Sequence, residues 1–253
     1  MPKYDYLYLG DNARAPYGTR SFEVVYEFTL QAVRTLFDEG CPLVILACNT
    51  ASAKALRTIQ QRDLPQLNTQ GDVQRRVLGV IRPTVECVGN LTRTRHVGIF
   101  ATPGTILSES YPLEIAKLFP DITVTGEACP MWVPFVENGE AESDGVDYYV
   151  RLYIERLLLK DPKIDAIILG CTHYPLLERK IKQFLPPGIN LIAQGNYVAD
   201  SLADYLQRHH EIERNCSQNS TATFLTTESE VDFSRMASVF LKDNIRAHRI
   251  TLK

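Results

Sequence analysis

The sequence predicts an α/β fold made of two similar lobes of parallel sheet. Three observations carry that prediction. Apolar runs of four to seven residues alternate along the chain with amphipathic segments, the order expected of parallel strands joined by helical crossovers. The runs are continuous rather than alternating, which suits strands covered on both faces. Residues 44–48 (VILAC) and 167–171 (IILGC) align without a gap, each an apolar strand that stops at a cysteine before polar residues. That repeat marks an internal duplication.

Taken in order, residues 4–9 read as the first strand. Residues 21–39 follow as a helix, because Val24, Val25, Phe28, Ala32, Leu36 and Phe37 recur at helical spacing and Gly40 suits the left-handed residue beyond its end. A strand at 43–47, a helix at 51–62 and a strand at 77–81, stopped by Pro83, come next. Strands at 96–101, 122–127, 166–169 and 190–192 continue the series. Helices near 105–118, 144–160, 175–185 and 197–208 fall between them. The polar stretches 63–76 and 209–220 are expected to be loops, the second leading into a last strand at 221–227. The expected division is a first lobe of residues 1–81 plus 195–253 and a second of residues 82–194. In open α/β sheets ligands bind outside the carboxyl ends of strands, so the active site is expected in the cleft between the lobes.

Composition excludes several classes. The 253 residues are 45% apolar and 23% charged, near the globular average. A net charge of −3 provides no electrostatic footprint for nucleic acid. No apolar run approaches the ~20 residues of a membrane span. Residues 1–11 have neither the charged lead nor the apolar core of a signal peptide, so the expected compartment is the cytoplasm. Six cysteines without a CxxC pair disfavour a zinc ribbon or a thioredoxin motif. Cys41, before Pro42, and Cys87, in an apolar helical pattern, read as small hydrophobes.

Cys48 and Cys171 read differently. A cysteine between a strand end and a helix start lies near the positive end of a helix dipole, which is expected to lower its pKa toward neutrality. One such thiolate could serve as a hydrolase nucleophile. Two thiols facing one cleft favour another chemistry. One takes a proton from a carbon while the other delivers a proton to the opposite face, and the stereocentre inverts. His173, two residues beyond Cys171, is placed to relay protons or to cap a helix. A Cys-x-His spacing is uncommon for zinc and a fourth ligand is not evident, so no metal is expected.

The segments GDNARAPYGTRS (residues 10–21), ACNTASA (47–53) and GCTHYPLL (170–177) closely resemble the signature segments of bacterial glutamate racemases. GVIRPT (79–84), ATPGTILS (101–108) and WVPFVE (132–137) extend the resemblance in the same order. It implies a cofactor-independent racemase of the aspartate/glutamate superfamily, interconverting L- and D-glutamate for peptidoglycan. Cys48 and Cys171 would be the paired acid and base, with His173 and Glu137 at the same catalytic centre. Tyr17, Gly18, Asn49, Thr50, Thr172 and His173 would hold the substrate. Thr105 would add a hydroxyl, unless it only caps a helix, and Glu137 could equally be a solvated helix start. The implied partner is glutamate, with no nucleic acid or membrane, and a homodimer is an expected assembly.

Two departures stand out. Residues 6–11 (YLYLGD) match the family's second strand, so its first strand and DSG turn are not among these residues. Two strand edges of the first lobe are then expected to lie open. Gln194-Gly195 stands where an acidic residue before the glycine is expected. The rivals are an aspartate racemase, which would carry an acidic residue at the position of His173 and lack PYGTRS, a binding protein that has lost turnover, and a thiol hydrolase.

Overall fold

The helix Phe22–Asp38 shows how local signals set an element. The hydroxyl of Ser21 accepts from the amide of Val24 at 3.3 Å and caps the N-terminus. Gly40, at φ +90°, turns the chain away beyond its end. Val25, Leu30, Val33 and Phe37 are buried along one stripe, each worth roughly 1.5–3 kcal/mol removed from water.

The computed structural model describes residues 1–69 and 73–252. Among them the strands are β1 (Tyr6–Gly10), β2 (Leu43–Leu46), β3 (Arg76–Gly79), β4 (His96–Ala101), β5 (Thr123–Ala128), β6 (Ala166–Gly170), β7 (Asn190–Ile192), β8 (Ala222–Thr226) and β9 (Ala247–Arg249). The chain divides into two units.

The first unit comprises Met1–Leu46, Ala55–Leu78 and Leu202–Lys253. It holds a three-stranded sheet in the order β1-β8-β9 and, separately, the pair β2-β3. β8 runs parallel to both neighbours, with Tyr6 opposite Ala222 and Phe224 opposite Ala247. The helix Phe22–Asp38 packs on both β1 and β2, yet these strands belong to different sheets. Tyr6 and Tyr8 of β1 are 44% and 48% exposed, so the expected two-sided cover is not met at this strand.

The second unit comprises Ala47–Lys54 and Gly79–Ser201. Its four-stranded sheet runs β5-β4-β6-β7, all parallel. Here two-sided cover holds. Phe100, Ile167 and Leu169 point into one cluster with Trp132, Tyr153, Tyr174 and Leu177. Val97, Ile99, Ala101, Ala166 and Ile168 point into another with Tyr111 and Ile115. Every residue of β6 is buried, which is why its sequence is continuously apolar. At Gly170 an added Cβ would lie 3.1 Å from the Phe100 carbonyl oxygen and 3.2 Å from the Ala101 Cβ. The close approach of β4 there favours glycine just before Cys171.

Several elements differ from expectation. The stretch 63–76 is not simply a loop: a π turn at Ile59–Asp63 runs into the helix Leu64–Asn68, because Ile59 and Leu64 find a buried face among polar neighbours. The part at 70–72 lies outside the described residues. The stretch 209–220 holds the short helix His210–Glu213, anchored by Ile212 against Tyr4 and Leu206. β3 ends at Gly79, and Ile81 already opens the helix Ile81–Val88, whose first turn tolerates Pro83. The single helix expected at 105–118 is two, Pro103–Leu107 and Ser110–Leu118, separated by left-handed Glu109. A helix at Glu230–Leu241 and the strand β9 were not anticipated.

Candidate active site

Both cysteine turns are built alike. The carbonyl of Cys48 accepts from the Ser52 amide at 2.9 Å, opening the helix Asn49–Lys54. The carbonyl of Cys171 accepts from the Tyr174 amide at 3.2 Å, opening the turn Tyr174–Leu177. Residues 47–54 belong to the second unit, so both thiols lie within it. Charge on Cys48 raises the pKa of Cys171, placing the two in electrostatic reach of each other.

Each thiol has its own surroundings. Cys171 is buried, and burial pushes its thiol up to about 12. The carboxylate of Glu137 adds to that rise, while the amides of His173 and Tyr174 work against it. Cys48 is also raised by burial, with the amides of Ala51 and Thr50 and the Thr50 hydroxyl opposing. The expected lowering toward neutrality is therefore overturned. The amides at the two turns act in the predicted direction, but desolvation of a thiolate outweighs them.

His173 stands behind Cys171. Its Nδ1 lies 3.8 Å from Cys171 Sγ and 3.4 Å from Thr172 Oγ1, and its Nε2 lies 3.1 Å from Glu137 Oε1. An ionised carboxylate only accepts, so Nε2 is the donor of that pair and Nδ1 is the nitrogen turned toward Cys171 and Thr172. The capping alternative for His173 is not met, since its side chain makes no cap hydrogen bond at that turn. Glu137 closes the helix Trp132–Glu137 rather than starting one.

Beside Cys48 lies a cluster of buried hydroxyls. Thr50 Oγ1 is 2.9 Å from Thr102 Oγ1 and 3.3 Å from Thr105 Oγ1, and Thr102 donates to Thr105 at 3.1 Å. The cap of the helix Pro103–Leu107 is Thr102, not Thr105, with the Thr105 amide donating to its hydroxyl. Thr105 thus loses its plain alternative.

Asn49 is buried and held from behind. Its Nδ2 donates to Gln194 Oε1 at 2.9 Å, and its Oδ1 accepts from the Tyr111 hydroxyl at 2.7 Å. Thr102 and Tyr111 are not among the residues the sequence singles out, and Gln194 stands there only as a departure without a role. Gln194 carried a faint signal, as a polar residue just past a strand where another type was expected.

Tyr17 and Gly18 belong to the first unit. There the Tyr17 hydroxyl donates to Asp11, which also receives the Arg14 guanidinium at 2.7 and 2.9 Å.

A half-buried thiol, Cys48, whose charge acts on a buried one, Cys171, itself linked to an imidazole and a carboxylate, makes a site for moving protons. The chain belongs to the Asp/Glu/hydantoin racemase family, whose profile matches residues 1–200. It is similar to glutamate racemases from Ruegeria sp. (strain TM1040), at 38% identity over 97% of this chain and 90% of the relative, and from Roseobacter denitrificans, at 40% over the same shares. Among solved structures it resembles glutamate racemase isoform RacE1 from Bacillus anthracis, with TM-score 0.85 and 32% identity over 100% of this chain and 90% of that one. Glutamate racemase from Francisella tularensis, crystallised with D-glutamate, also gives TM-score 0.85, at 30% identity and the same coverage. The resemblance read from the sequence motifs is borne out.

Proposed function

We propose that the chain interconverts L- and D-glutamate without a cofactor, using Cys48 and Cys171 as the paired acid and base. The observation that carries this reading is the chain Cys171–His173–Glu137, with steps of 3.8 and 3.1 Å, on which the charge of a second thiol, Cys48, acts. One cysteine, as thiolate, takes the α-proton, and the other, as thiol, gives its proton to the opposite face of the same carbon. The thiolate and thiol have then exchanged places, so the proton count of enzyme plus substrate is unchanged. The reverse reaction starts from the exchanged state.

Burial makes both thiols favour the protonated form. The substrate's ammonium, brought against them, would favour ionising one, since an opposite charge nearby stabilises a thiolate. On the Cys171 side the neutral imidazole of His173 accepts the proton and Glu137 steadies the imidazolium. On the Cys48 side the Thr50 and Ala51 amides and the Thr50 hydroxyl stabilise the sulfur anion directly. Asn49, Thr50, Thr105 and Thr172 are the donors offered to the substrate carboxylates, and Tyr17 and Gly18 join them by the family resemblance. Preorganised donors in a dry site are the means by which a carbanion-like state is stabilised without an electron sink. The six free cysteines suit a reducing cytoplasm, where D-glutamate would feed peptidoglycan synthesis.

The test is Cys48→Ser and Cys171→Ser, each assayed from L- and from D-glutamate. A serine hydroxyl is too weak an acid to replace either thiol, so racemisation is expected to be lost in both directions. Full activity in either variant would overturn the two-thiol reading.

A further inference from the structure

Gln194 ties the end of β7 to three helices of the second unit. It follows β7 and precedes the helix Gly195–Arg208. Its Nε2 donates to the Tyr111 hydroxyl at 2.7 Å, to Thr84 Oγ1 at 2.9 Å and to the Val80 carbonyl at 3.4 Å. Its Oε1 accepts from Asn49 at 2.9 Å. Gln194, Thr84, Tyr111 and Asn49 are all buried.

The network has a fixed direction. A carbonyl oxygen only accepts, so the nitrogen end of Gln194 is the end that faces Val80. Its oxygen end must then face Asn49, and Asn49 must present its amide nitrogen there. The Tyr111 hydroxyl accepts from Gln194, so its own hydrogen is free to go to Asn49 Oδ1, where it is found at 2.7 Å. Burial also raises the Tyr111 phenol, keeping that hydrogen in place. Both ends of the Asn49 amide are thereby locked against a flip. One N–H of its nitrogen is left uncommitted by this pair of bonds.

We infer that Gln194 and Tyr111 are positioning residues that set the orientation of the Asn49 amide, and with it the start of the helix that follows Cys48. This rests on the proposal that Asn49 contacts substrate. The need for donors also explains why an amide suits position 194. A carboxylate there would have no hydrogen for the Val80 carbonyl and would compete with Asn49 Oδ1 for the Tyr111 hydrogen.

The test is a double-mutant cycle read in kcat and KM for glutamate, with melting temperature followed alongside. Tyr111→Phe removes one hydroxyl and keeps the ring. Gln194→Met keeps length and neutrality but removes both hydrogen-bonding ends. Each is expected to lower kcat/KM by about tenfold, the worth of one well-made hydrogen bond, chiefly by raising KM. In an Asn49→Ala background neither change is expected to reduce kcat/KM further. A merely structural role would cost the same in both backgrounds and move melting temperature without splitting KM from kcat. If Asn49→Ala lowers kcat/KM while Tyr111→Phe and Gln194→Met leave it at the wild-type value, the positioning role is overturned alone. An Asn49→Ala variant with unchanged kcat/KM overturns the substrate role of Asn49 and the inference with it. The two single variants guard each other: should one fail to fold, the other still completes its cycle.

Discussion

His173 Nε2 lies 3.1 Å from Glu137 Oε1, while the same ring turns Nδ1 toward Cys171 at 3.8 Å. The two cysteines therefore have unlike support: Cys171 is backed by a side-chain relay, Cys48 by backbone amides and the hydroxyl of Thr50. An enzyme that inverts a stereocentre need not be symmetric, even though its substrate and product are mirror images.

Removing the relay tests that asymmetry. The equilibrium constant of a racemisation is one, so kcat/KM must fall equally in both directions whatever is mutated. The asymmetry is expected in the isotope effect instead. In His173→Ala the rate should drop within the ~10²–10⁴-fold range of general acid–base catalysis, and Glu137→Gln should act the same way but less. The primary effect of α-deuteration should grow for the enantiomer whose proton Cys171 accepts and stay level for the other. An equal change for both would contradict a relay specific to Cys171.

The raised thiol of Cys171 has a consequence for stability. Its folded value of about 12 exceeds its ordinary value of 9.0, so the folded state holds the proton more tightly than the unfolded chain. That contribution is full below pH 9.0 and is lost as pH rises toward about 12. Thermal melts at rising alkaline pH should therefore fall less steeply for Cys171→Ala than for wild type. Parallel slopes would contradict the desolvated thiol.

Gly170 sets how near β6 comes to β4. In Gly170→Ala the new methyl meets the Phe100 carbonyl at 3.1 Å, and overpacking of this kind costs roughly 1–3 kcal/mol. The urea midpoint is expected to drop, and activity to drop further because Cys171 is the next residue. An unchanged midpoint would show that the strands part without strain.

Thr102 caps one helix and touches both Thr50 and Thr105. Thr102→Val is expected to cost about 0.5–2 kcal/mol as a lost cap and to raise KM for glutamate through the two displaced hydroxyls. A stability loss with KM unchanged would reduce Thr102 to a cap.

What was legible in the sequence followed the range of the interactions. The cysteine turns are local, a strand end and a helix start within a few residues, so Cys48, Cys171 and His173 could be read directly. Tyr111 could not, and Gln194 showed only as a departure without a role. Their bonds to Asn49 and to each other join positions 62 to 145 residues apart. The thiol pKa failed for a related reason. The dipole of a short helix is a local property, whereas desolvation depends on everything packed around the sulfur. Residues 63–69 looked like a loop because their polar majority hid the one face where Leu64 is buried.

The most direct test of the two-thiol account is α-proton exchange followed by NMR in deuterated water, with L-glutamate and L-aspartate offered separately. The account predicts that glutamate loses its α-proton signal as D-glutamate appears, that aspartate keeps its signal, and that D-glutamate no longer appears in Cys48→Ser or in Cys171→Ser. No exchange from glutamate, or exchange that survives the loss of both thiols, would contradict it.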